Sequence, residues 1–347
     1  MKRIVALITA VVLTVVASPA VIAADLDFSG EISAQIDYEA EELAGESDFS
    51  LEAALGENLR AGFNLNDMTR PFNDNWNNAG ILSLDNIWLE ARGPLFSGAP
   101  DMVTRMGGLD VSYSPLIGIV SNNGISVDEI AVGPVSMGAF YAWNGTDRIR
   151  GARVGVSPVE TMEIQGSLVQ GDQNYYAVET TVNPLDYLQV TGAYAAEEDG
   201  DQAFKVDGRL QVLSDLEVRA GYRNIAEGFA PQCGDPDHGD PDRPHYNPGT
   251  EQKGFSAGAT LEQMGFVVKG DYAFYDNMLD FSATRPLELA GMNFDTKLEG
   301  AYDTDESDLK SLEAGVDYKA LNGMNLSVGY DFVGQQPTAE VGMSMAF

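Results

Sequence analysis

Thr338-Ala-Glu-Val-Gly-Met-Ser-Met-Ala-Phe347 closes the chain and decides how the rest is read. Ala339, Val341, Met343, Met345 and Phe347 fall on one side of it, and Glu340, Gly342, Ser344 and Ala346 on the other. Successive residues of a strand point to opposite faces. The segment is therefore expected to be a strand with one apolar face and one polar or small face. A soluble sheet would use it to cover a core. A membrane β-barrel would use it to close its wall, apolar face to lipid.

The same period of two runs through the preceding chain. Leu26, Phe28, Ile32, Ala34, Ile36 and Tyr38 oppose Asp27, Ser29, Glu31, Ser33 and Asp37, and an acidic gap from Glu39 to Asp48 follows. Leu109, Val111 and Tyr113 oppose Asp110 and Ser112. Arg148, Arg150, Ala152, Val154 and Val156 share a row, as do Val178, Thr180 and Val182, or Phe266, Val268, Gly270 and Tyr272. Ser114 to Glu129 breaks the pattern with Pro115 and Asn122-Asn123-Gly124. Roughly twenty segments of about ten residues can be drawn, the length of membrane strands. Two of them, Ile125 to Val132 and Asn277 to Ala283, are weakly patterned. No amphipathic helix competes.

Composition narrows the functions. The 347 residues include 20 Lys and Arg against 53 Asp and Glu, a net charge of −33. Such a chain does not bind nucleic acid through its phosphates. A single cysteine, Cys233, excludes an intramolecular disulfide, and only His238 and His245 are available for histidine chemistry. No nucleophile–base pair and no phosphate-cradling glycine loop emerges, so no enzyme and no cofactor are expected. Met1-Lys-Arg followed by the apolar run Ile4 to Val16 and the small residues Ser18 to Ala24 reads as a signal peptide. Residues 1–23 are expected to be removed, leaving 24–347 as one barrel domain. Loss of Lys2 and Arg3 leaves 18 basic against 53 acidic residues, or −35.

Connection lengths give the topology. Gly56-Glu57-Asn58, Gly133-Pro134, Ser157-Pro158, Asn183 to Asp186, Ser214-Asp215, Gln263 and Ala320 to Gly323 are mostly tight. Glu39 to Asp48, Asn66 to Asn78, Ser114 to Gly124, Glu197 to Asp201, Ile225 to Gln252 and Asp303 to Asp308 are longer and mostly acidic. Short turns on one rim and long loops on the other are the pattern of a membrane barrel. Gly93 to Asp101 and Thr284 to Gly291 are too long for the short rim. Tyr38, Tyr113, Tyr141, Tyr194, Tyr222, Tyr272, Tyr302, Tyr318 and Tyr330 fall near strand ends, where rings suit a lipid–water boundary. Charges such as Lys205, Asp207, Arg209, Glu217, Arg219, Lys269 and Asp271 occupy the alternate rows. So polar a face needs a water-filled lumen, and closure removes exposed edges.

The signal peptide, the strand repeat and terminal Phe347 resemble the outer-membrane porin superfamily of Gram-negative bacteria. Ile87-Trp-Leu-Glu-Ala-Arg-Gly-Pro-Leu-Phe96 and Arg105-Met-Gly-Gly-Leu-Asp-Val-Ser-Tyr113 resemble the part of porins that precedes their constriction loop. The resemblance implies an all-β transmembrane antiparallel barrel of about 18 strands, range 16–20, with an inward-folded third external loop. Ser114 to Gly124 is that loop by count. The resemblance further implies passage of small hydrophilic solutes and cations through the outer membrane. It implies contact with outer-membrane lipid, recognition of the C-terminal strand by barrel-assembly machinery, and leaves a homotrimer open. The acidity exceeds that of ordinary porins and points to a salt-loving host.

Within that frame, Asp128 and Glu129 are expected at the pore constriction, opposed by Arg92, Arg105, Arg148, Arg150 and Arg153. Opposed charges across a narrow aqueous pore select permeants by charge. The plainer reading makes them ordinary rim or lumen charges. Asp235, Asp237, Asp240 and Asp242 are weak metal candidates, because they lack the spacing of a Ca²⁺ loop; a solvated external loop is the plainer account. The alternative function is a structural or adhesive barrel plugged by its own loops.

Overall fold

The computed structural model describes residues 26–39, 42–55, 58–65, 87–94, 99–144, 147–198, 200–229, 251–289, 291–320 and 324–346. The signal segment, Phe347 and the four aspartates from Asp235 to Asp242 lie outside the described residues.

Among the described residues, a single antiparallel sheet of 20 strands forms. Its first third comprises β1 (Leu26–Glu39), β2 (Glu42–Leu55), β3 (Leu59–Leu65), β4 (Trp88–Arg92), β5 (Val103–Ser114) and β6 (Gly118–Val132). Then come β7 (Val135–Asn144), β8 (Asp147–Val159), β9 (Met162–Gln170), β10 (Asn174–Leu185), β11 (Leu188–Glu197), β12 (Gln202–Leu213) and β13 (Leu216–Ile225). The remainder are β14 (Gln252–Gln263), β15 (Phe266–Ala273), β16 (Met278–Leu289), β17 (Met292–Asp303), β18 (Asp308–Lys319), β19 (Met324–Asp331) and β20 (Gln336–Ala346). The count sits at the top of the expected range.

The C-terminal stretch closes the wall. Met343 stands opposite Ile32 of β1 on one side and Met324 of β19 on the other. Every described strand thus has two neighbours, and the ring of strands closes between β1 and β20. Tight turns gather on one rim, at 133–134, 160–161, 186–187, 214–215 and 264–265. Met264 and Gly265 both carry positive φ there, 54° and 79°. That is the signature of a primed hairpin turn, whose twist matches the flanking strands. The other rim carries the long 226–251 connection.

Three expectations change. The acidic gap is mostly strand, because β2 begins at Glu42 and Gly45 already faces Ile36. Thr284 to Gly291 is also strand as far as Leu289, which removes one of the two overlong connections on the short rim. The weakly patterned Ile125 to Val132 and Asn277 to Ala283 fall in β6 and β16. The physical reason is common to all. A ladder is held by backbone N–H and C=O pairing, so it continues where side-chain alternation stops.

The third change concerns Ser114 to Gly124. Only 115–117 leave the ladder, and Asn122-Asn123-Gly124 lie inside β6. The third connection on the long-loop rim does fold inward, but as the tip of a β-hairpin and not as an irregular loop.

Candidate pore constriction

Wall strands obey one polarity. Val154, Val178, Val212, Val268, Val316 and Val328 point outward and stay exposed. Lys205, Asp207, Arg209, Glu217 and Arg219 occupy the alternate, lumen-facing rows. The β5–β6 hairpin reverses this. Leu109, Val111, Tyr113, Leu116, Ile117 and Val120 are buried, whereas Asp110 and Ser112 are exposed. Their apolar partners are Phe140, Ala142, Val169, Tyr175, Ala177, Ala193, Ala195, Ala203, Ile225 and Phe229, which lie along the inside of β7 to β13 and just beyond it. Tyr113 therefore packs inside the barrel and not at a lipid boundary.

The bend that brings the hairpin inward is built from two paired glycines. β4 pairs with β5 only as far as Gly107, and β6 pairs with β7 only from Asn123. Gly108 N–H still donates to the Ile87 carbonyl at 2.9 Å, and residues 109–122 find register partners only among themselves. Gly107 has φ +108°, and a Cβ there would collide with the Ile87 carbonyl oxygen. A Cβ on Gly124, its register partner, would collide with Leu109 Cδ1 and the Tyr141 carbonyl. Only glycine accepts the first conformation without strain. Arg105 braces the bend: its Nε donates to the Gly108 carbonyl at 2.8 Å, and its guanidinium stacks 4.5 Å from the Trp88 ring centre.

Asp128 secures the hairpin to the wall. A bulge between Val127 and Ile130 sets Asp128 and Glu129 against no register partner on β7, with Glu129 at φ 58°. Bulges of this kind re-aim a side chain. Arg153 Nη2 of β8 lies 3.1 Å from Asp128 Oδ1. Tyr113 OH donates to that oxygen at 3.3 Å, and Arg153 Cζ sits 5.1 Å from the Tyr113 ring centre. A Cβ on Gly138 would occupy the Asp128 carboxylate position, so the residue across the bulge has no side chain. Gln165 Nε2 of β9 donates to the Tyr113 carbonyl at 2.9 Å, and Phe140 meets the Tyr113 ring edge-on at 5.1 Å.

The other expected site residues scatter. Glu129 is exposed beside the bulge. Arg92 pairs with Glu90, Nε to Oε1 3.0 Å, on β4. Arg148 and Arg150 stand opposite Trp143 and Tyr141, on the outward face of β8. The structure brings together Asp128 and Arg153 only. Arg148 and Arg150 do not join them, because they share parity with Ala152 and Val154, the row that faces out.

A second set of lumen charges was expected on the alternate rows, but its pairings were not read from the sequence. Arg219 of β13 makes a two-pronged contact with Asp271 of β15, at 3.2 Å from Nε and 2.8 Å from Nη2. Its Nη1 also donates to Glu217 at 3.1 Å and Thr260 at 2.6 Å. Lys205 pairs with Asp207 at 2.9 Å. Arg223 is 5% exposed, donates to Gln252 Oε1 at 2.9 Å and stacks 4.4 Å from the Tyr275 ring centre. Tyr275 lies in the 274–277 connection with its hydroxyl buried and without a partner among the described residues. Burial pushes its phenol up to about 12. The available signal was the spacing of charges at every second position along β12, β13 and β15.

No protein-family model and no curated protein matches the sequence. Similarity appears at the level of structure. OccK11 (OpdR) of Pseudomonas aeruginosa aligns over 93% of this chain and 96% of its own, at 9% identity and a TM-score of 0.53. OccK8 (OprE) of the same organism covers 93% and 97%, at 10% identity and 0.51. The outer membrane protein OpdK, also of Pseudomonas aeruginosa, covers 93% and 99% at 9% identity, with a TM-score of only 0.47. The first two share the architecture of this chain: its fold is that of these large antiparallel barrels.

Proposed function

We propose that the protein is an outer-membrane porin, a water-filled channel for passive diffusion of small hydrophilic solutes and ions. One observation carries the reading. A closed 20-stranded wall turns apolar rows outward and charged rows inward. An outward apolar band suits hydrocarbon, and a charged lumen suits water. The structural likeness to the barrels of Pseudomonas aeruginosa supports the fold on which this rests. Residues 1–23 are the export signal, and 24–347 form the mature barrel.

The channel prefers cations. At −35 after signal removal, the acid excess must lie in lumen and loops, because the outward rows are nearly neutral. Such a vestibule concentrates cations over about 10 Å at 0.1 M salt. Asp128 borders the narrowed region beside the hairpin, partly offset by Arg153. The purified protein in planar bilayers under a KCl gradient is expected to show a reversal potential of cation sign that shrinks as salt rises. An anion-selective channel would defeat the electrostatic argument.

A second reading has its own support. The hairpin buries Leu109, Ile117 and Val120 to 2% exposure or less. Packing that dry suits a plug as well as a constriction, and a plugged barrel would insert without conducting.

A further inference from the structure

Three glycines of the lumen-facing rows stand where the carboxylate of a neighbouring strand lies. A Cβ on Gly138 would collide with Asp128 Oδ1, one on Gly221 would come within 2.6 Å of Asp207 Oδ1, and one on Gly258 would collide with Asp271 Oδ1. On outward rows, Gly166 and Gly270 would meet nothing within 4 Å. At these positions the inner face fills the space that a missing side chain leaves, and the outer face does not.

Gly258 shows what that space is for. It is the register partner of Arg219 on one side and of Asp271 on the other. Those two residues belong to strands two apart, roughly 10 Å between axes. Asp271 reaches Arg219 by lying flat across Gly258. It takes the side edge of the guanidinium, with Nε donating at 3.2 Å and Nη2 at 2.8 Å. Two-pronged pairs of this kind are the strong and geometrically specific ones. Glu217 and Thr260 accept from Nη1, which leaves the Nε–Nη2 edge to Asp271.

That edge matters because of Arg209 on β12, which is exposed and is the direct register partner of Arg219. Like charges directly opposite one another are unfavourable, and Asp271 offsets this pair. Two guanidiniums on adjacent strands also suit a ligand with several carboxylates, since the planar fork of each matches carboxylate geometry. With Asp271 seated, the fork of Arg219 is taken.

We propose that Gly258 is a positioning residue for permeant selection. It seats Asp271 on Arg219 and so prevents the Arg209–Arg219 pair from holding anionic permeants with two or more carboxylates. The inference rests on the channel reading above, but the masking belongs to the folded protein and needs no current to be seen.

The test is citrate binding by the full mature protein in detergent, measured by isothermal titration calorimetry. Heat-modifiable mobility on gels reports that each protein is folded. Gly258→Val is expected to bind citrate at least about tenfold more tightly than wild type. Asp271→Asn frees the same edge without touching the backbone. It should gain in the same direction, and it decides the matter if Gly258→Val does not fold. Arg219→Gln added to either variant should erase the gain. Gly270→Val, next door on the outward face, should match wild type. In planar bilayers the Gly258→Val channel should show a reversal potential shifted toward anions. Unchanged citrate affinity in the folded variants, or a gain that survives Arg219→Gln, would overturn the masking. A citrate gain with an unshifted reversal potential in an open channel would overturn the role in selection. Failure of the channel reading would look different: wild type and variant would both insert without current, and citrate binding would still decide the masking.

Discussion

The β5–β6 hairpin tip and the β12–β13 hairpin are built from the same alternating pattern, with opposite results. In β12–β13, Phe204, Leu210, Val212 and Val218 face outward, and Lys205, Asp207, Arg209 and Arg219 face the lumen. In the tip, Leu109, Val111 and Tyr113 face inward, and Asp110 and Ser112 are exposed. Period two says which residues share a face, but not which side of the sheet that face will meet. In the wall, on the proposed membrane reading, the neighbours are lipid outside and water inside. In the tip, the neighbour is the inner wall itself, whose small and apolar residues Ala142, Ala177, Ala193, Ala195 and Ala203 leave a dry floor for it.

The comparison can be broken most severely at the bend. Gly107→Val forces a β-branched residue into φ +108° and against the Ile87 carbonyl. The expected loss is at least about 3 kcal/mol, or failure to reach the heat-modifiable form, read by denaturant unfolding in detergent. Gly166→Val in β9 is the control, since a Cβ there meets nothing within 4 Å and the fold should tolerate it.

Next is the floor. Leu109→Ala removes a side chain 2% exposed and should cost about 2–4 kcal/mol. Val212→Ala, on the outward face at 49% exposure, should cost under about 1 kcal/mol in detergent. Equal losses would mean that the tip is not packed as described.

The latch should give a smaller effect. Asp128 and Arg153 are partly exposed, so a double-mutant cycle between Asp128→Asn and Arg153→Gln is expected to yield a coupling of about 0.5–1.5 kcal/mol. The selectivity effects should oppose one another. Arg153→Gln frees a carboxylate and raises cation preference, whereas Asp128→Asn lowers it, as read by reversal potential. The smallest effect is expected for Arg219→Gln, which leaves Asp271 and Glu217 without their shared cation. It should shift selectivity slightly toward cations with little change in conductance.

Much of this architecture is legible in the sequence. Met343 and its neighbours called for a closing strand, and the sorting of short and long connections gave the two rims. Strand ends were the poorest reading, at Glu42 and at Leu289, because backbone pairing outlasts side-chain alternation. In the site, Asp128 and Arg153 could be named, since both are charges near the break in the pattern. Tyr113 was misplaced because its apolar row looks the same from either side. Arg148 and Arg150 shared a row with Ala152 and Val154, and that parity already placed them outside the lumen. The partnership of Arg219 with Asp271 spans β13 to β15 and could not be read without the register.

The central claim is that the inward hairpin sets the width of an open pore. Single-channel current tests it most directly, comparing wild type with a variant in which residues 112–119 are replaced by a short glycine-containing turn, both confirmed as folded. The account predicts discrete steps from wild type and larger steps from the shortened variant. Steps of equal size from both, or silence from both after verified insertion, would contradict it.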